Sequence, residues 1–435
     1  MQRRRFLQAA AAAGLALTAP SIVSRASAGE PFAGPFWILV HASGGWDPTL
    51  MFDPVISPEH TRSYSSVAKI GNIPYAPTST DLSELEWENA ENSNWILSNE
   101  AFLNKYAGKM TLFNGVDTKT NNHDAGTRSI WSGKTQEGYP SLGALLAANK
   151  SPGAPMAFLS SGGYDATEGL IGLTRVSSVD ALTRIARPNQ VDANDANSST
   201  FHTPETWGRI AQFQAERAER LRTSSQLLRK RRAISALELA RSGDGELAKL
   251  QLPTELVDIP SGDLDDLERF MQQGQIAIHA FKSGLGVSAS LGLGGFDTHA
   301  NNDRDQRRRQ AMLLGGIDYL MTYAAAQGLG DKTFVLVGSD FGRSPYNDRD
   351  GKDHHPISSF FAMGPGIPGD RVIGQTTVER LPMAVDSGSL APVAKGGTVV
   401  TPAHIQRALR RLAGVDESDI SAQFPLEGSD LPLFG

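Results

Sequence analysis

Residues 333–343 read TFVLVGSDFGR: a short apolar run, Thr333–Val337, stops at Gly338-Ser339 and delivers Asp340 and then Arg343. An uninterrupted apolar run of this length, closed by glycine, is the pattern of a strand buried on both faces. Working outward, the same pattern recurs. Phe36-Trp37-Ile38-Leu39-Val40-His41 leads into Gly44-Gly45-Trp46-Asp47, and Val287–Leu291 leads into Gly294-Gly295-Phe296-Asp297-Thr298-His299. Met110–Asn114, Met156–Leu159 and Phe360–Met363 are further runs of strand length. Between them the spacing turns helical near 123–133, over 141–149 and over 303–327. It does so again from about 204 to 242, over 264–283 and over 402–413, where Thr401-Pro402 supplies a cap followed by proline. Strands alternating with helices predict an α/β protein with a mostly parallel central sheet and helices on both faces. The helix-rich stretch of about 165–283 reads as an insertion capping that sheet, and the polar residues 54–98 read as irregular.

Composition narrows the function. The chain has 435 residues, 40% apolar and 20% charged, with 44 Gly and 24 Pro, which excludes a coiled coil and a disordered protein. Its 41 Lys+Arg against 47 Asp+Glu exclude a nucleic-acid binder driven by bulk charge. The lack of any Cys removes disulfides, thiolate nucleophiles, iron–sulfur sites and cysteine zinc sites together. Residues 1–28 place Arg3-Arg4-Arg5 before a mildly apolar run and the small residues Ala26-Ser27-Ala28, the layout of an export signal. RRRFLQ resembles a twin-arginine signal in particular. Its removal leaves 37 bases against 47 acids, a net charge of −10, on a periplasmic or secreted chain. No other stretch is long and apolar enough to span a bilayer, so no integral membrane segment is expected after cleavage.

In a sheet of this kind ligands bind beyond the carboxyl ends of the strands. The polar residues following the apolar runs are therefore the informative ones: Asp47, Asp297 with His299, and Asp340 with Arg343. Gly351-Lys352-Asp353-His354-His355 follows a short loop later, and His123 follows the Met110 strand. Without thiolate, carboxylate and imidazole are the ligands left for a borderline divalent cation such as zinc. Asp47, Asp297, His299, Asp340, His354 and His355 are accordingly predicted to hold one or two divalent metal ions. Each motif alone has a plainer reading, since an Asp after a strand commonly caps a helix and a DHH run serves as a polar loop. Their recurrence at one end of successive strands is what argues for a shared site. Arg343 reads in two ways, as a bidentate clamp on an anionic substrate or as an ion pair that orients Asp340.

The order GGWD, GFDTH, SDFGR and GKDHH resembles the alkaline phosphatase/sulfatase-like superfamily, and within it domain-of-unknown-function family 1501, whose members commonly begin with a twin-arginine signal. The likeness runs over roughly residues 36–413. It implies an exported metal-dependent hydrolase of phosphate or sulfate esters, acting on a small anionic or ester substrate. It also implies a pair of metals, commonly zinc, held by Asp47, Asp297, His299, Asp340 and His354. Arg343 would grip the anion, and His123 would serve as general acid or base. Two departures stand out. Phe341 occupies the place where the superfamily has a His after the late Asp, so one metal position is weakened unless His123 or His355 substitutes. The nucleophile region reads Asn121-Asn122-His123-Asp124-Ala125-Gly126-Thr127, which sets Asn122 or His123 where a Ser, Thr or formylglycine is usual and leaves Thr120 and Thr127 as substitutes. The absence of Cys and of Ser-x-Pro-x-Arg disfavours a formylglycine sulfatase. The same departures support an alternative, a catalytically degenerate member that binds an envelope component or partner. A mutase or transferase on this scaffold is not separable from a hydrolase by sequence.

Overall fold

In the computed structural model the run at residue 36 becomes strand β1 (Phe36–Ala42), buried along its whole length. Side chains alternate across a strand, and here the alternation divides the core in two. Phe36, Ile38, Val40 and Ala42 enter one hydrophobic layer, while Trp37 and Leu39 enter the other. A strand that is apolar in both parities must be covered on both faces, as the unbroken run implied. The structure describes residues 31–435 apart from 82, 176–183, 185, 186, 194, 196, 225–233, 235–248 and 251–254. The expected export signal, 1–28, and much of the helix expected to 242 lie outside the described residues.

A small hairpin, β2 (Ala68–Ile70) and β3 (Ile73–Tyr75), comes next. Then follow β4 (Met110–Asp117), β5 (Phe158–Ser161), β6 (Leu173–Thr174), β7 (Ser288–Leu293) and β8 (Thr333–Ser339). A ribbon of β9 (Gly342–Tyr346) and β10 (Lys352–His355) precedes β11 (Ile357–Met363) and β12 (Arg371–Ile373), and β13 (Ala384–Val385) pairs with β14 (Pro392–Val393). The main sheet has eight strands in the order β12-β4-β11-β8-β1-β7-β5-β6. β1 is parallel to β7 and to β8, and the pairs β5–β7, β5–β6 and β4–β12 are parallel too. Within this sheet only β11 is antiparallel, to β4 and β8, because the ribbon returns the chain at the same edge without a helical crossover. The architecture is the mostly parallel α/β sheet expected from the sequence.

Helices α1 (Asn99–Tyr106), α2 (His123–Ser132), α3 (Leu142–Lys150), α4 (Pro204–Ser224), α5 (Asp265–Lys282), α6 (Asn302–Ala326) and α7 (Pro402–Leu412) complete the described fold. Ser98, Asn122 and Ser141 each cap their helix by accepting a backbone N–H, satisfying donors that a first turn leaves free. α1, α5 and α6 cover one face of the sheet through Phe102, Phe270, Ile278, Leu313 and Leu320. α2, α3 and α7 cover the other through Trp131, Leu142, Ile405 and Leu409. Within the stretch 165–283, α4 buries only Ala218, whereas α5 packs on β7 and α6. The region 54–98 is more ordered than its polar composition suggested. It carries the β2–β3 hairpin and buries Ile73, Tyr75, Leu85 and Trp87, residues too widely spaced to show a period. Among the described residues no helix is long and apolar enough to cross a membrane.

Candidate metal centre

The carboxyl ends of β1, β7 and β8 lie side by side, and two glycines let the segments beyond them close up. Gly44 has φ +119°, and a Cβ there would stand 2.5 Å from the Asp297 nitrogen, so only glycine allows the β1 and β7 loops to touch. On α2 a Cβ at Gly126 would lie 2.4 Å from the Asp340 carbonyl oxygen, which sets the helix hard against the end of β8. Residues from four distant stretches of chain therefore meet at one edge.

Asp297 is the hub. His299 Nε2 and His354 Nε2 lie 3.0 and 3.1 Å from its Oδ1, and His123 Nε2 lies 3.6 Å from its Oδ2. The Nε2 atoms of His299 and His354 are 3.1 Å apart. Every one of these rings is held from behind by its other nitrogen. His123 Nδ1 is 2.6 Å from Asp340 Oδ2, His299 Nδ1 is 2.9 Å from Asp353 Oδ1, and His354 Nδ1 is 2.8 Å from the Asn121 carbonyl. A carbonyl or a carboxylate only accepts, so in the neutral rings the proton sits on Nδ1 and a lone pair on Nε2. Three lone pairs thus converge with a carboxylate, a cluster that a proton or a metal cation must reconcile. Outer-shell acceptors of this kind are how metal-binding imidazoles are oriented. His123, Asp297 and His354 each present a ligand atom within 4.8 Å of the others. Burial pushes the Asp297 carboxyl up, but Arg343 and His354 outweigh it and hold it below the usual range.

Asp340 stands behind this cluster, 1% exposed. Its Oδ2 accepts from His123 and, at 3.2 Å, from the Gly44 N–H. His41 Nε2 is 2.8 Å from Oδ1, at ion-pair distance but off the line of a hydrogen bond. Burial pushes the Asp340 carboxyl up; contacts with His41 and His123 more than reverse this and hold it low. The Trp131 indole donates to His41 Nδ1 at 3.1 Å, so the neutral His41 ring carries its proton on Nε2. Thr127 Oγ1 lies 3.4 Å from that nitrogen. His41 escaped the sequence reading because it closes an apolar run. The available signal was a titratable residue at the carboxyl end of a strand buried on both sides.

Of the sequence-predicted residues, Asp47 and His355 are not brought to the centre, and Arg343 reaches it only from behind, through Asp297. Asp47 is fully buried, and its oxygens are taken by Lys352 Nζ at 2.6 Å, Asn302 Nδ2 at 2.9 Å, Thr49 Oγ1 at 2.7 Å and the Thr49 N–H at 3.1 Å. It caps the short 3-10 helix Pro48–Leu50 and neutralises a lysine. His355 alternates to the opposite side of β10 from His354, and its Nε2 lies 3.1 Å from the Arg380 carbonyl. Arg343 is fully buried and can clamp no substrate. Its guanidinium donates to the carbonyls of Gly44, Gly45, Phe296 and Lys352 and to Asp297 Oδ1 at 2.8 Å, tying the strand-end loops together. Both sequence readings of Arg343 are corrected, because its carboxylate partner is Asp297 and not Asp340. Phe341 is also fully buried, with its ring centroid 4.9 Å from that of His123 and 4.4 Å from that of His354.

Sheet and side chains together define an α/β protein with a candidate metal centre at the carboxyl edge of its strands. Over residues 37–387 the chain matches the family described as "Protein of unknown function (DUF1501)", and it belongs to that family. The comparison with curated proteins finds no match. Solved structures to which the chain is similar include BT1596, a 2-O GAG sulfatase, at TM-score 0.35 and 11% identity, covering 89% of this chain and 72% of that one. Another is the alkaline phosphatase from the Antarctic bacterium TAB5, at TM-score 0.32 and 12% identity, covering 78% and 93%. The lipoteichoic acid synthase LtaP from Listeria monocytogenes is similar at TM-score 0.33 and 10% identity, covering 90% and 75%.

Proposed function

We propose that this chain is an exported metal-dependent hydrolase of phosphate or sulfate esters, with one divalent binding place formed by Asp297, His299, His354 and His123. The observation that carries the reading is the convergence of three imidazole Nε2 atoms on one carboxylate while each Nδ1 is committed elsewhere. A nitrogen-rich donor set with one oxygen and no thiolate suits zinc. A cation held there would polarise an ester oxygen and lower the pKa of a bound water. The protein's own groups do the positioning. Asp340, Asp353 and the Asn121 carbonyl orient the three rings, and Arg343 fixes Asp297. His123 is the first residue of α2, so that helix opens beside the cluster, and a helix N-terminus favours the negative charge of a phosphate or sulfate. Thr127 presents a hydroxyl beside His41. The RRRFLQ head supports export by the twin-arginine route to the periplasm or beyond.

A second reading, a non-catalytic binding protein, is favoured by the apolar ring of Phe341 at the back of the site. Both are tested by elemental analysis of the purified protein, paired with turnover of 4-nitrophenyl phosphate, bis(4-nitrophenyl) phosphate and 4-nitrophenyl sulfate. The hydrolase reading expects turnover that chelation abolishes, added zinc restores and His354→Ala removes. Metal-replete protein that cleaves none of the three leaves the binding reading.

A further inference from the structure

We propose that the centre is mononuclear: one cation sits on Asp297, His299, His354 and His123, and the chain's own side chains close the second metal place implied by the resemblance. This rests on the metal-dependent reading above and narrows it. A second ion would need Asp340 together with Asp47 or another donor on its flank. Asp47 is unavailable, because the Lys352 ammonium occupies its Oδ2 and both side chains are fully buried. On Asp340, Oδ2 already accepts from His123 and the Gly44 N–H. Its Oδ1 is the one entry point left, and the His41 Nε2 that stands 2.8 Å from it carries the ring proton and so offers a cation no lone pair, since Trp131 donates to the other ring nitrogen. Phe341, directly after Asp340, brings an apolar ring where a donor would be needed. His355, the remaining imidazole of the DHH run, faces the Arg380 carbonyl.

His123 completes the single place. It starts α2, where its Nδ1 is anchored on Asp340 and its Nε2 faces Asp297, so Asp340 acts as a positioning residue behind a ligand. Charge agrees with this count. Asp297 pairs with Arg343, while Asp340 holds His123 and Asp353 holds His299; with the rings neutral, three carboxylates against one guanidinium leave an excess of two negative charges, which one divalent ion neutralises and a second would overturn.

The test is a metal count with a spectroscopic arm. Full-length protein is stripped with chelator, reloaded with excess zinc or cobalt, desalted, and measured for metal per chain. One ion is expected, lost in His354→Ala and in Asp297→Asn and retained in Asp340→Asn at saturating zinc. In the cobalt form, His123→Ala should keep the ion but shift its visible absorption as one nitrogen ligand is replaced. Two ions per chain overturn the proposal and leave the metal-dependent reading standing. So does one ion that survives His354→Ala and is lost in Asp340→Asn. An unchanged cobalt spectrum in His123→Ala overturns the four-residue place. No ion at all overturns the metal-dependent reading, and this proposal with it.

Discussion

Replacing Lys352 with methionine tests whether Asp47 belongs to the scaffold or to the metal. Methionine keeps the length of the side chain and removes the ammonium, which lies 2.6 Å from Asp47 Oδ2 and also donates to the His60 carbonyl. Asp47 would keep the Thr49 and Asn302 hydrogen bonds but no counter-charge, at a position with no solvent access. Breaking a buried pair in this way costs about 3–5 kcal/mol. The pH dependence gives the sharper signature. Burial pushes the Asp47 carboxyl up, but the charge and hydrogen bond of Lys352 outweigh it, so in the native protein it lies below its usual value. A carboxyl lowered in the fold contributes stability above its unfolded pKa of about 3.9, and that contribution is lost as pH falls through the lower folded value. Without Lys352 burial dominates, the carboxyl rises, and the penalty of the variant should shrink as Asp47 takes up a proton. Denaturant unfolding followed by tryptophan fluorescence at pH 7.5 and pH 5 reads this out. The deficit should be larger at pH 7.5, the double variant Asp47→Asn/Lys352→Met should recover most of it, and metal content should not change. A deficit below about 1 kcal/mol against the expected range, one equal at both pH values, or loss of metal in Asp47→Asn would refute the reasoning.

Asp340→Asn keeps the shape of the group but holds His123 less firmly; cation affinity should fall about 10–100-fold, measured by competition with a chromophoric chelator. Gly126→Ala drives a methyl into the Asp340 carbonyl and forces α2 outward; it should destabilise the protein by about 1–3 kcal/mol and lower ester turnover through displacement of His123. His60 is pushed down to about 4 by burial, with the charges of Lys352 and Arg380 adding to the effect. The unfolded chain therefore binds a proton in a window where the native protein does not, and stability should fall by up to about 3 kcal/mol between pH 6.5 and 4. Unfolding curves for His60→Gln should lack that slope, and a slope as steep as in the parent would show that other groups carry it.

Much of the site was legible because strand-end residues follow their strand by a fixed logic. Asp297 and His299 were found from GFDTH, and His354 from GKDHH, as residues delivered to one edge. His123 carries two readings from the sequence, general acid or base and substitute metal ligand, because its neighbours along the chain say nothing about Asp297. Asp47 shows the opposite failure. It carries the same strand-loop-Asp signature as Asp297, yet it turns into the interior, because a lysine that lies 305 positions along the chain neutralises it there.

From the sequence alone come the main strands and helices and their order: apolar runs in both parities make strands covered on two faces, and the polar residues after the parallel runs β1, β7 and β8 land at the same edge. Those properties are local, set by periodicity and turn chemistry. Which of those edge residues face one another is set by the tertiary structure. The partners of a carboxylate or an imidazole are chosen by through-space distance: Trp131 fixes the proton on His41, Arg343 is consumed by four carbonyls and Asp297, and Asp340 stands behind His123. Charge and hydrogen bonding act across space between residues hundreds of positions apart, and no spacing along the chain encodes that neighbourhood.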